Sequence, residues 1–153
     1  MITTRHARPE DLAAVRDLLA ASWQDTYEPI YGRTKVDALT ARWHSLEALA
    51  AQHRRGVLRL VADADGRLLG TASATVGEDG TIHLRQLYVH PDHKRRGIGA
   101  ALLDAMVAAC PSARRVTLEV EPENISAVAF YARQGFTLSG EIVERDDDGA
   151  ETR

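Results

Sequence analysis

A single cysteine, Cys110, stands in the 153-residue chain, which excludes an internal disulfide and any multi-cysteine metal site. Basic residues are not in excess: 19 Lys and Arg against 22 Asp and Glu leave a net charge of −3. A protein that holds nucleic acid or an anionic membrane by bulk electrostatics is basic, so neither partner is expected. No apolar run approaches the roughly 18 residues of a membrane-spanning helix. Residues 1–10 carry charge and lack the apolar stretch of a secretion signal. A soluble, cytoplasmic protein is the expectation. Linkers, internal repeats and low-complexity tracts are lacking as well, so residues 1–153 are expected to form one domain. The composition that remains is ordinary globular material, 44% hydrophobic and 27% charged.

Hydrophobic spacing predicts the elements. Residues 2–8 suit a first strand, and Pro9-Glu10-Asp11 starts a helix, with proline preset for the first turn and acids at the positive end of the dipole. Leu12, Val15, Leu18, Leu19 and Trp23 share its buried face, after which Tyr27 and Tyr31 continue a polar-aromatic segment beyond the helix. A second helix is expected over residues 35–53, with Leu39, Trp43, Leu46, Leu49 and Ala50 inward. Strands at 57–62 and 68–76 meet at the hairpin turn Asp65-Gly66, and Asp79-Gly80 leads into a strand at 81–89. A helix follows over 98–109, with Ile98, Ala101, Leu102, Ala105 and Ala109 on one stripe and Pro111 as its stop. The chain ends with a strand at 115–120, a helix at 124–134, a strand at 136–144 and a turn at 146–149. Strand, helix and strand over 81–120 are long enough for a right-handed parallel crossover. The expected class is α/β, a mixed and mostly antiparallel sheet with flanking helices.

The most informative stretch is Leu87-Tyr88-Val89-His90-Pro91-Asp92-His93-Lys94-Arg95-Arg96-Gly97-Ile98-Gly99-Ala100. A strand runs into a basic turn, and two glycines open a helix. Backbone N–H groups at a helix start lack partners and sit at the positive dipole end, so this segment suits a phosphate or pyrophosphate. The plainer alternative is a solvated basic turn with convenient glycines. A P-loop is excluded because no Gly-x-x-x-x-Gly-Lys-Ser/Thr run exists. A dinucleotide fingerprint is disfavoured: Leu102 occupies the third glycine position, residues 90–96 separate strand from glycine, and too little chain follows for a second half.

With these residues in view, the sequence resembles the GNAT superfamily of acetyl-CoA-dependent N-acetyltransferases. Lys94-Arg95-Arg96-Gly97-Ile98-Gly99 matches its Gln/Arg-x-x-Gly-x-Gly/Ala motif, with Lys94 in place of the first residue. Leu118-Glu119-Val120, Asn124, Ala127, Phe130-Tyr131 and Gly135-Phe136 follow the family's second block in order and spacing. The resemblance implies acetyl-CoA as co-substrate, no metal, an amine acceptor and a homodimer. It implies that Leu87, Tyr88 and Val89 offer backbone to the pantetheine and acetyl group. Lys94, Arg95, Arg96, Gly97, Ile98, Gly99 and Ala100 are implied as the pyrophosphate cradle. It further implies Glu119 as general base, twelve residues before Tyr131, and Trp23, Tyr27 and Tyr31 as walls of an acceptor pocket.

The residues support part of this independently. Asn124, Ala127 and Tyr131 fall within about 60° of one another on a helix. Ile125, Val128, Ala129 and Ala132 group on the other side, the expected core face. Acetyl transfer needs a neutral amine, although at an ordinary pKa only about one in 2,500 is neutral at pH 7. It needs an oxyanion donor, such as the Val89 N–H, and a proton for the departing thiolate, which the Tyr131 hydroxyl can supply. Against these roles stand a simple cap for Asn124, packing for Tyr131, a sheet-surface carboxylate for Glu119 and a core position for Trp23. Cys110 lies outside both motifs, which disfavours an acetyl-cysteine intermediate. His90 and His93 lack a partner at ligand spacing, so no metal is expected. Asp146-Asp147-Asp148 reads as a solvated turn. The final strand is either very short or completed at the sheet edge by a partner. A non-catalytic acyl-CoA-binding domain is the competing function.

Overall fold

The computed structural model describes residues 1–139 and 142–146. The chain runs β1 (Ile2–His6), α1 (Leu12–Tyr31), α2 (Arg33–Trp43), α3 (Leu46–Arg54), β2 (Leu58–Ala64), β3 (Arg67–Val76), β4 (Thr81–Val89), α4 (Ile98–Ala108), β5 (Arg115–Glu119), α5 (Ile125–Arg133), β6 (Thr137–Ser139) and β7 (Ile142–Asp146). Among the described residues the strands form one sheet in the order β1-β2-β3-β4-β5-β7-β6. Only the β4–β5 pair in it is parallel. This is the expected mixed, mostly antiparallel sheet.

Alternation along the strands separates two apolar layers. Leu60, Ala62 and Leu69 pack with Ile98, Leu102, Leu103 and Met106 of α4, while Val61 and Leu68 pack with Leu12, Val15, Leu19 and Leu49 from α1 and α3. Gly70 allows α4 to sit close: a Cβ there would meet Leu102 Cδ1 at 3.0 Å and Ile98 Cγ2 at 3.1 Å. A bulge in the β3–β4 ladder leaves Arg85 without a partner in β3 and reverses the phase of β4. Before it Ile82 and Leu84 face α4; after it Leu87 and Val89 do, and Tyr88 turns to the α1–α3 side.

Five expectations need correction. First, α1 does not end before the aromatics. Trp23, Tyr27 and Tyr31 lie four residues apart and stack in sequence, 4.5 and 5.8 Å between ring centroids, and this ladder carries the helix past Pro29 to Gly32. Second, the helix expected over 35–53 breaks at His44, where the Ser45 hydroxyl accepts from Ala48 N at 3.1 Å and caps α3. The break resets the helical phase, so Val36, His44 and Leu49 are buried while Trp43 and Leu46 are exposed. Third, α4 buries its longer apolar side chains, Ile98, Leu102, Leu103 and Met106, and leaves Ala101 and Ala109 outside. Fourth, α5 is rotated from expectation: Ile125 is 77% and Val128 40% exposed, whereas Ala127, Phe130 and Tyr131 pack inward. Aromatic area outweighs small aliphatics when a short helix has one face to bury. Fifth, the strand expected over 136–144 is two strands, β6 and β7, with β7 between β5 and β6. The final strand is thus a short one, and of the turn expected at 146–149, residues 147–149 lie outside the described residues.

Candidate active site

The parallel pair β4–β5 is in register only from Thr81/Arg115 to Leu84/Leu118. The bulge at Arg85 follows at once, and β4 runs on to Val89 without a neighbour on that side. A cleft of about 1080 Å³ opens in this gap, lined by Leu87, Tyr88, Val89 and Glu119 together with α1, α4 and α5. Its position at the carboxyl ends of parallel strands is where α/β sheets commonly take ligands. His90 N donates to Leu69 O across the β3 edge. Successive residues of a strand direct their polar groups to opposite sides, so Val89 and Leu87 turn theirs toward the gap. Ser22 Oγ of α1 donates to Val89 O at 3.3 Å, which leaves the Val89 N–H free for a ligand.

The glycine turn closes one end of the cleft. Lys94, Arg95, Gly97, Ile98, Gly99 and Ala100 line it. Arg95 has φ 66° and Gly97 φ 76°, a backbone that directs successive N–H groups into a concave surface just before α4. A left-handed Arg95 costs about 1–2 kcal/mol, the kind of strain kept where a ligand is held. The Lys94 ammonium is bound to Asp25 of α1 at 2.6 Å. Arg96 stands apart: it is not in the cleft wall, and its Nη1 lies 3.3 Å from His93 Nδ1. Gly99 has a packing reason for lacking a side chain, since a Cβ would meet Phe130 at 3.3 Å.

Helix α5 forms the facing wall through Asn124, Ala127 and Tyr131. The Asn124 side chain accepts from Ala127 N at 3.2 Å, capping α5, and donates to Tyr27 Oη at 3.4 Å. Tyr131 is buried between Phe130 and Phe136, and burial holds its hydroxyl well above the usual phenol range, so it stays protonated. Among the described residues that hydroxyl has no hydrogen-bond partner. Tyr27 lines the cleft, whereas Tyr31 does not; its hydroxyl donates to Glu121 at 2.6 Å, which raises its pKa to about 12 and ties α1 to the β5–α5 connection. Cys110 lines neither this cleft nor the cavity described next.

A second cavity of about 620 Å³ lies on the α2–α3 side of the sheet, and the sequence reasoning missed most of it. Trp23 belongs here rather than to the cleft, edge-on to His44 at 5.1 Å and to Trp43 at 6.0 Å. Leu84, Arg85, Gln86, Tyr88 and Glu119 line both spaces, so the two open onto one another at the β4–β5 gap. Behind the wall, buried Arg59 donates to Gln52 and Gln86; an arginine inside the apolar run Leu58-Arg59-Leu60-Val61-Ala62 was the available signal. His44 and Ser22 had none.

A sheet split between parallel neighbours, with an anion-ready helix start at one end and a buried phenol facing it, defines the class of acyl-CoA N-acyltransferase folds. The chain belongs to the acetyltransferase (GNAT) family, whose model matches residues 12–136. An uncharacterized N-acetyltransferase of Mycobacterium bovis is 37% identical over 89 residues, 57% of this chain and 56% of that protein. The chain thus spans about half the length of that relative. The L-methionine sulfoximine/L-methionine sulfone acetyltransferase of Pseudomonas aeruginosa is 30% identical over 122 residues, 74% of this chain and 67% of that protein. Among solved structures, the PaiA N-acetyltransferase of Thermoplasma acidophilum in complex with coenzyme A superposes with a TM-score of 0.89. It is 25% identical, over 95% of this chain and 99% of that one.

Proposed function

We propose that the chain transfers the acetyl group of acetyl-CoA to a primary amine by direct attack in a ternary complex. The observation that carries this reading is the shared wall: cleft and second cavity meet at Glu119, Tyr88 and the open edge of β4. A thioester in the cleft would thus face an amine in the cavity. The concave turn around Gly97 suits the pyrophosphate, and the coenzyme A complex of the Thermoplasma neighbour supports that ligand. Glu119 takes the amine proton, and the Val89 N–H stabilises the oxyanion as the N–C bond forms. Tyr131 gives its proton to the thiolate as the C–S bond breaks, and the amine proton replaces it by way of solvent. The name of the Pseudomonas relative supports a small amine-bearing acceptor. The cytoplasmic location, the homodimer and the lack of a nucleic-acid partner enter this proposal from the sequence alone.

Titration calorimetry with acetyl-CoA and NAD, paired with thiol release on a panel of amines, tests the reading. Binding of acetyl-CoA with amine-dependent release of free CoA is expected. Acetyl-CoA binding without turnover on any amine would leave the non-catalytic alternative, and binding of NAD alone would overturn the ligand class.

A further inference from the structure

The second cavity is strongly cationic in a chain whose net charge is −3. Arg42, Arg55 and Arg85 line it, and Glu119, at the junction with the cleft, is its sole carboxylate. Among the described residues none of these arginines is ion-paired. Arg59, 7% exposed, adds a fourth guanidinium behind the wall, with Thr71 Oγ1, Gln52 Oε1 and Gln86 Oε1 as its acceptors and no acid nearby. A buried cation without a counter-charge is costly and is stabilised by an anion that arrives with a ligand. Arg59 also orients the wall. It occupies the amide oxygens of Gln52 and Gln86, and Ser73 Oγ also donates to the latter, so both side chains are left with their N–H donors to offer. His44, 4% exposed, lines the same cavity, and its Nδ1 is buried without a partner. Burial, followed by the Arg59 charge, draws its pKa down to about 4, so it is neutral and able to donate.

Donors thus converge at one end of the cavity, and a single carboxylate stands at the other, where the acetyl group would arrive. We infer that the acceptor is a small molecule carrying an oxyanion, a carboxylate above all, beside its primary amine. The oxyanion is held by the arginine and glutamine donors, and the amine is directed at Glu119. This inference rests on the acetyltransferase reading.

The test compares an α-amino acid such as leucine with leucinamide and 3-methylbutylamine, two uncharged-tail analogues that bracket it in amine basicity. Phosphoethanolamine against ethanolamine checks a second oxyanion. The expected result is a kcat/KM about tenfold or more in favour of an oxyanionic member over both of its neutral partners, the range of a charge-assisted hydrogen bond. Arg55→Gln and Arg85→Gln alter exposed side chains and should keep the fold; each should shrink that preference mainly by raising KM for the oxyanionic acceptor. Neutral amines or polyamines accepted as well as the acids would overturn the inference while leaving the acetyltransferase reading intact. Failure to bind acetyl-CoA would instead remove the reading beneath it.

Discussion

The two halves of the candidate site are built by opposite means. The cleft is made of short contiguous segments, residues 87–100 and 119–131, and offers mostly backbone. The cavity is made of side chains from α1, α2, α3, β3, β4 and β5, scattered from Trp23 to Glu119. Backbone N–H groups at a helix start and a left-handed glycine present the same chemistry whatever surrounds them, which suits a ligand held in common across a family. Side chains gathered from six elements can be exchanged one by one, which suits an acceptor that differs between members. The bulge at Arg85 joins the halves, because it both opens the gap and turns Tyr88 away from α4 toward the cavity.

The sharpest way to separate the halves is Tyr131→Phe. The ring packing against Phe130 and Phe136 is kept, so acetyl-CoA affinity should be nearly unchanged. Loss of the acid should lower kcat about 10²–10⁴-fold, roughly 3–5 kcal/mol of barrier, when chemistry is rate-limiting. Full turnover in pre-steady-state measurements would make Tyr131 a packing residue of the cleft and nothing more.

A smaller effect is expected from the other side. His44 has its pKa drawn from 6.5 in an unfolded chain to about 4 in the fold. Between those values the unfolded chain binds more protons, so stability is complete above about pH 6.5 and falls toward pH 4, by at most about 3 kcal/mol. His44→Asn should flatten the dependence of the unfolding midpoint on pH across that window. An unaltered slope would mean that the floor of the cavity does not sense this group.

The smallest effect is the one that probes backbone alone. Gly97 has φ 76°, and a Cβ there would meet no atom within 4 Å. Gly97→Ala therefore adds no clash and only disfavours the left-handed conformation, by about 1–2 kcal/mol. Acetyl-CoA should bind about 5- to 30-fold more weakly by calorimetry, with acceptor KM little changed. Equal affinity would show that the turn keeps its shape without glycine. Gly99 is a poorer probe, because a side chain there also presses on Phe130.

The strands at 81–89 and 115–119, the Asp65-Gly66 hairpin and the caps at Asn124 and Gly135 were legible because each depends on neighbours in sequence. The inward face of α5 was not. Periodicity marks two faces of a short helix but cannot say which one the rest of the chain will cover, and here Phe130 and Tyr131 took the interior from Ile125 and Val128. The length of α1 was hidden for a similar reason: Pro29 reads as a stop, and the aromatic ladder that carries the helix past it forms only on the folded helix.

By itself, then, the sequence determined the local chemistry: a basic turn leading into two glycines, an asparagine cap, and a tyrosine one turn inside the following helix. Those are properties of consecutive residues, set by dihedral preference and hydrogen-bond geometry over a few bonds. Only the tertiary structure decided that the sheet parts after Leu84 and Leu118, that Glu119 looks into two spaces, and that Arg59, Gln52, Gln86 and His44 share one of them. Sequence spacing does not encode distances between elements; those follow from how the layers pack, and that packing brings an unpaired guanidinium beneath a cavity wall.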